Sequence, residues 1–368
     1  MTQIYNELPK YPYECDMWDN LAKETRPIVV YGMGNGADKL IKNFEKYNIA
    51  ISDFFASDGF VRGHSFHGMR VKSFSEIRER YPEFVIVLSF ASNRAEVLSM
   101  LYGMDDTYEM YVPDMPVAGE DEYFNASFYN ANYDSIKSAY ESLDDEISRH
   151  TFASVLHYKL TGRMRYLRDA FCTRDEMYAL LPCDRIGRIV DAGAYNGDTL
   201  REAKCYFPNL ESAVAIEPDL RNFKKLSKYS EAECDINLKI YNCAAWSEDS
   251  EGSFSGSGNR NSSVNSTASY KHRDDTVSLS KIDTLTGGNA DYIKYDVEGA
   301  EAEALIGSHG TIVGSRPALL VSLYHRSRDI FSIVNTLKNK YPFYRMYLRR
   351  LECVPAWEIN LIAIPESE

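Results

Sequence analysis

Short stretches of the chain carry residues whose types and spacing could do chemistry. YIKYDVEGAE brings Asp296 and Glu298 to the end of an apolar run, and SLYH brings His325 to the end of another. Two carboxylates and an imidazole can act as a general base with an orienting acid, or as ligands of a divalent metal. Two other stretches point to binding. RIVDAGAYNGDTL, residues 188–200, runs from apolar residues into Asp191, then Gly193 and Gly197, then an acid and a threonine that open a helix. Such glycines allow a tight turn and close approach by a ligand, and the helix start offers unpaired amides. Asp191 and Asp198 flank the turn and would repel a diphosphate, which favours a cationic or neutral nucleoside-like ligand. In AIEPD, Glu217 ends the next apolar run, where a carboxylate reaches a ribose diol in the adjacent turn. The plainer role for Glu217 is to cap the helix after Pro218.

These residues need a sheet to hold them. Apolar runs at RIVDAG, SAVAIEP, KIYNCAAW, DYIKYD, ALLVSLY, FYRMYL and INLIAIP predict strands, with helices after the first, second, fourth and fifth. Only LRRLECVPAWE separates the last two, too little for a crossover, so they predict an antiparallel hairpin. NCAAWS leaves room for a flat ring at Ala244, with Trp246 either bordering it or packed in the core; Asp235, in the preceding turn, is a candidate partner for an adenine amino group. The Gly-, Ser- and Asn-rich stretch around residues 251–273 predicts a surface loop, either a lid or simply flexible.

Upstream, strands at 28–31, near 58 and at 84–90 alternate with helices, which predicts a smaller parallel sheet. The expected organisation is an N-terminal extension over 1–24, a small Rossmann-like domain over 25–115, a linker and helical bridge over 116–185, and a second α/β domain over 186–368.

The 368 residues suffice for two domains, and 44% hydrophobic with 26% charged residues is a globular composition. A net charge of −13 disfavours generic nucleic-acid binding. No apolar run reaches the roughly 20 residues that cross a bilayer, and the first residues lack a signal pattern. Seven scattered cysteines without CxxC pairs suggest reduced thiols in the cytoplasm.

Over residues 188–362, VDAGAYNGDT, AIEPD, NCAAWS, YIKYDVEGAEAEALIG and SLYH together resemble the FkbM family of class I S-adenosylmethionine-dependent methyltransferases. The resemblance implies a doubly wound α/β sheet closed by an antiparallel hairpin. It puts Asp191, Gly193 and Gly197, with Tyr195 and Thr199 of the same segment, in the cofactor turn, and makes Glu217 the ribose acid. Members usually methylate hydroxyls or carboxyls of small molecules and glycans. Asp296, Glu298 and His325 are then the candidate catalytic residues, as a metal-free base and acid or as ligands of a divalent metal; the plainer roles are a cap of the following helix for Glu298 and a hydrogen-bonded interior histidine for His325. Lys294 either reaches the site or pairs an acid. Arg326, Arg328, Arg345, Arg349 and Arg350 either hold an anionic substrate group or form ordinary surface pairs.

In the first domain, VVYGMGNGADKL carries Gly32, Gly34 and Gly36, with Asp58 later. It loosely resembles the small Rossmann-like domain ahead of some sugar-modifying acyltransferases. A nucleotide site, a substrate-positioning module and a scaffold or dimerisation module all stay open, as does homo-oligomer formation. The expected activity is methyl transfer from S-adenosylmethionine to an oxygen of a sugar-related or other small polar metabolite, with a small-molecule or glycan partner and neither nucleic acid nor membrane insertion. Its rivals are an NAD- or nucleotide-sugar-modifying enzyme centred on the first domain, and a non-catalytic binding or assembly module.

Overall fold

The computed structural model describes residues 6–61, 63–118, 122–232, 235–255, 263–265 and 275–366. Its first sheet uses β1 (Ile28–Tyr31), β2 (Asp53–Ala56), β3 (Lys72–Ser73), β4 (Val85–Leu88) and β5 (Met110–Tyr111), with helices α1 (Asn35–Lys46), α2 (Phe74–Arg80) and α3 (Ala95–Thr107) between them. The strands are all parallel in the order β3-β2-β1-β4-β5. Strands buried on both faces need the continuous apolar runs seen in IVVY and VIVL. The preceding segment belongs to this unit: Met17, Trp18 and Leu21 are buried in the same cluster as Val30 and Phe44.

The bridge is helical as expected, with α4 (Ala126–Ala131), α5 (Tyr133–Glu141), α6 (Glu146–Thr161) and α7 (Arg174–Tyr178). The second sheet follows. Its elements are β6 (Arg188–Ala192), α8 (Asp198–Tyr206), β7 (Ser212–Ile216), α9 (Leu220–Ala232) and β8 (Asn237–Tyr241), then β13 (Tyr292–Tyr295), α10 (Glu301–Ile306), α11 (His309–Ser315), β14 (Ala318–Ser322), α12 (Asp329–Lys340), β15 (Tyr344–Arg350) and β16 (Ile359–Pro365). The order is β8-β7-β6-β13-β14-β16-β15, parallel except for the terminal hairpin.

Between β8 and β13 the chain departs from the expectation. KIYNCAAW is not one strand: it breaks at Asn242, whose side-chain amide donates to the Glu217 and Pro218 carbonyls (2.9 and 3.1 Å). The chain then enters a third sheet, β9 (Cys243–Ala245), β10 (Ser250–Ser255), β11 (Ser263–Asn265) and β12 (Asp275–Ser280), in the order β9-β12-β10-β11. Part of the stretch expected as a loop therefore pairs as strand; the lid expectation for the remainder lies outside the described residues.

The two large sheets do not have separate cores. One buried cluster runs from Val29 and Ile86 through Phe152 and Leu156 of α6 to Ile293 and Leu361. At its edge, Ser92 after β4 and Val354 between β15 and β16 exchange backbone hydrogen bonds (2.7 and 2.9 Å). Arg350 is fully buried and donates to the carbonyls of Leu167, Ala170, Leu351 and Cys353. It thus clamps the bridge to the β15–β16 loop, with no carboxylate partner among the described residues. Arg350→Met should destabilise the protein by more than about 3 kcal/mol, because buried acceptors left bare cost about 1–3 kcal/mol each. An unchanged thermal midpoint would show that the clamp is dispensable.

Candidate active site

Where β6, β7 and β13 end, a cavity of about 480 Å3 opens. The chain leaves β6 at Gly193, and the Gly193 and Ala194 amides donate to the Ile216 carbonyl (2.9 and 3.0 Å). A Cβ on Gly193 would run into the Asp296 carbonyl, so glycine is what lets this turn pass the end of β13. Next, the Tyr195 amide donates to Glu217 Oε2 (2.8 Å) and the Asp219 amide to Glu217 Oε1 (2.9 Å). Glu217 therefore ties two turns together. The helix after it is capped instead by Asp219, which accepts from the Arg221 and Asn222 amides.

Burial pushes the Glu217 carboxyl up to about 7. Its two backbone donors do not offset the lost hydration, and hydroxyl donors from a ligand would favour its charged form. Gly193, Tyr195, Thr199, Glu217 and Ala244 all line the cavity, as does Ala245, which the sequence reading passed over. A buried carboxylate, a glycine turn and a small-residue floor on one wall fit a nucleoside.

Other expected cofactor residues are placed elsewhere. Asp191 is buried behind the turn, where burial raises its carboxyl to about 6, and its nearest cation is Lys294 at 3.7 Å. Gly197 packs under the Tyr229 ring, outside the cavity wall. Asp235 precedes β8 and so lies at the opposite end of a parallel strand, exposed and paired with Lys204. Trp246 packs against Ala244, Val277 and Leu279, away from the cavity wall.

At the end of β13 sits a compact charge network. Lys294 Nζ lies 3.1 Å from Asp296 Oδ2 and donates to Thr199 Oγ1 (3.0 Å). Burial works against its charge, but Asp296 and Asp191 outweigh that and hold it protonated. Asp296 also accepts from Ser322 Oγ (3.0 Å) and the Tyr324 hydroxyl (3.2 Å). Burial opposes its ionisation too, yet Lys294 and His325 keep the carboxyl far below its usual range. Glu298 differs: burial pushes it up to about 8, against the pull of His325.

His325 does not reach the cavity. It is fully buried, with Nδ1 donating to Glu301 Oε1 (2.8 Å) and Nε2 3.6 Å from both Asp296 Oδ1 and Glu298 Oε2. Burial would discharge it, but Glu301, Glu298 and Asp296 outweigh burial and raise it to about 10. Off the cavity wall, and with three carboxylates favouring its charged form, His325 matches the hydrogen-bonded interior role and not that of the base. The metal alternative gains no support either: among the described residues no group of three or more His, Cys, Asp or Glu side chains is arranged to hold a metal ion.

Glu301 was not foreseen, although DVEGAE contains it. Its Oε1 also accepts from the Val297 and Gly299 amides (3.0 and 3.4 Å), so it, and not Glu298, ties down the turn before α10. Three non-glycine residues with left-handed backbone, Tyr195, Glu298 and Glu358, line the cavity (φ +48°, +53° and +58°). Such strain gathers at functional sites, where the surrounding fold holds it in place. The rest of the wall comes from, among others, Ser92 and Asn93, Arg174 and Tyr178 of α7, and Trp357 and Glu358 between β15 and β16. No motif marked any of these.

The arginines considered for an anionic group are occupied elsewhere. Arg326 donates to the Gly299 carbonyl, Arg328 pairs with Glu122, Arg345 with Asp144 and Arg349 with Asp145. In the first domain, a Cβ on Gly36 would run into the Ser89 carbonyl, so this glycine serves close packing of α1 on the sheet. Asp58 accepts from the Ser75 amide and hydroxyl at the start of α2.

Residues 191–352 match the family model described as the methyltransferase FkbM domain. Among solved structures, the chain is similar to the methyltransferase FkbM of Methylobacillus flagellatus KT, with a TM-score of 0.67 and 18% identity over 92% of this chain and 90% of that one. An rRNA methylase from Streptococcus thermophilus gives a TM-score of 0.33 at 10% identity, over 52% of this chain and 93% of that one. The fibrillarin of Aeropyrum pernix, solved with natively bound S-adenosyl-L-methionine, gives 0.32 at 13% identity, over 52% and 74%. No curated protein matches.

The charge network has a spectroscopic signature. In 15N-edited NMR at pH 7.5, His325 should show both ring nitrogens protonated and should not titrate below about pH 9. A neutral tautomer at that pH would overturn the assignment.

Proposed function

Starting from a methyltransferase FkbM domain over residues 191–352, we propose that this protein transfers a methyl group from S-adenosylmethionine to an oxygen of a sugar-related or other small polar metabolite. The observation that carries the reading is Glu217: a buried carboxylate at the glycine turn, on the wall of the same cavity as Asp296 and Glu298. S-adenosylmethionine supplies a methyl group made electrophilic by its sulfonium.

This chain's residues do the rest. Glu217 accepts hydrogen bonds from the ribose hydroxyls. The backbone of Gly193 and Tyr195 forms the turn beside them, and Ala244 and Ala245 leave space for the flat ring. Glu298 is the base, because a carboxyl raised toward neutral pH can take a proton from an acceptor hydroxyl. Asp296, held ionised by Lys294 and His325, orients the acceptor and stays a hydrogen-bond acceptor throughout. His325 is a positioning residue: its charge holds Asp296 and Glu298 at the end of β13. The free thiols among the described residues accord with a reducing compartment such as the cytoplasm.

Calorimetric titration should give micromolar binding of S-adenosylmethionine and none of NAD; NAD binding alone would move the site to the first domain and sink the reading. Glu217→Gln should weaken S-adenosylmethionine about 10- to 100-fold, the scale of losing hydrogen bonds to a charged group. In the native protein, affinity should rise as pH increases through about 7, where Glu217 ionises, and the variant should lose that dependence.

Glu298→Gln should cut turnover by about 10²–10⁴ while cofactor affinity holds. The native kcat/KM should climb with pH and level off above about 8, since the ionised carboxylate is the active form. His325→Gln should move that rise to higher pH, because a nearby positive charge is lost. A flat pH profile would remove Glu298 as the base.

A further inference from the structure

Resting on the methyl-transfer reading above, we propose that the helical bridge completes the S-adenosylmethionine site: Arg174 of α7 binds the carboxylate of the cofactor's amino-acid arm, and Asp198 at the start of α8 takes the ammonium beside it. Residue 174 lies outside the matched family domain, residues 191–352. The part of the cofactor that sets it apart from a plain nucleoside is thus read by a helix from elsewhere in the chain.

The order of the strands gives the arm its direction. The Asn242 side chain donates to the Glu217 and Pro218 carbonyls, and Ala244 and Ala245 follow it, so these alanines lie beside β7 on the side away from β6. With the ribose on Glu217 and the flat ring over the alanines, the rest of the cofactor runs the other way, across the Gly193 turn at the end of β6. There Arg174 and Tyr178 of α7 and Asp198, Thr199 and Glu202 of α8 line the cavity. Thr199 Oγ1 accepts from Lys294 Nζ (3.0 Å), so the first turn of α8 is tied to β13.

Charge then selects the residues. An α-amino acid is a zwitterion and needs a cation and an anion close together. Among the described residues that line the cavity, only Arg174 and Lys294 are cationic. Lys294 is nearly buried and is held by Asp296, Asp191 and Thr199. Arg174 is half exposed. Its Nη1 donates to both Glu202 oxygens (2.8 and 2.7 Å), while Nε and Nη2 make no hydrogen bond among the described residues. Glu202 therefore fixes the guanidinium and leaves the Nε–Nη2 edge, whose two parallel donors match a carboxylate. Asp198 and Glu202 are four residues apart on α8, which puts them on one face with about 5–6 Å between their Cβ atoms. A carboxylate thus stands one helical turn from the ion pair, and Asp198 is exposed. An acidic wall alone would hold the sulfonium and the ammonium and repel the carboxylate, so the cation with donors to spare decides which ligand fits.

The test measures binding of two ligands to the full-length protein: S-adenosylhomocysteine, and methylthioadenosine, which keeps the nucleoside and the sulfur and lacks the amino-acid arm. Native protein should bind S-adenosylhomocysteine the more tightly. Arg174→Gln should weaken S-adenosylhomocysteine about 10- to 100-fold, the scale of hydrogen bonds to a charged group, and leave methylthioadenosine within about twofold. Asp198→Asn should weaken S-adenosylhomocysteine about 3- to 10-fold with the same selectivity. Equal losses for both ligands would make these residues merely structural and overturn the proposal. Undiminished S-adenosylhomocysteine affinity in either variant, or a native preference for methylthioadenosine, overturns it as well. If neither ligand binds the native protein, the methyl-transfer reading falls, and this inference with it.

Discussion

The active end of the second sheet depends on two buried cations. Asp191, Glu217, Asp296, Glu298 and Glu301 crowd the ends of three adjacent strands, and carboxyls buried that closely stay ionised only where charge is supplied from within. Lys294 supplies it on one side and His325 on the other. Their positions follow from the sheet: Lys294 is opposite Asp191 in the β6–β13 pairing, and His325 comes just after β14, the neighbouring strand. The same pairing forces Gly193 against the Asp296 carbonyl. Glycine turn and charge network are thus one construction, and neither can shift without the other.

The network also separates roles that look alike in one dimension. Asp296 and Glu298 are two residues apart, yet one is held ionised and the other is pushed toward neutral pH. Asp296 lies between two cations and receives two hydroxyl donors. Glu298 sits on a left-handed turn, with His325 Nε2 3.6 Å from Oε2 and no hydrogen bond to that oxygen among the described residues. Pairs of acids driven apart by their surroundings commonly divide into base and orienter.

The cavity is closed by parts of the chain distant in sequence. The β15–β16 loop is pinned by Arg350 to the bridge, by Val354 to the first domain, and by the Tyr102 hydroxyl donating to Glu352 (3.2 Å). The core likewise runs from one sheet to the other through α6. The first domain is therefore a structural part of the second domain's site, whatever else its glycine-rich turn does.

Much of this was legible in the chain itself. Apolar runs ending in acids located the strands, the short LRRLECVPAWE segment required the terminal hairpin, and the turn at Gly193 and the acid at Glu217 were both picked out as residues that line the cavity. The strands, the hairpin and the tight turn are local features: burial, chain reversal and close approach leave their mark on neighbouring residues. What failed was what depends on distance through space. Asp235 lies at the opposite end of its strand from the cavity, Trp246 took the packed role of the two left open, and Glu301 favours the charged form of a buried His325. The Ser92–Asn93 wall and the Arg350 clamp carried no signal at all. Protonation state and cavity shape are set by neighbours that only the folded chain brings together, and no spacing along the sequence encodes them.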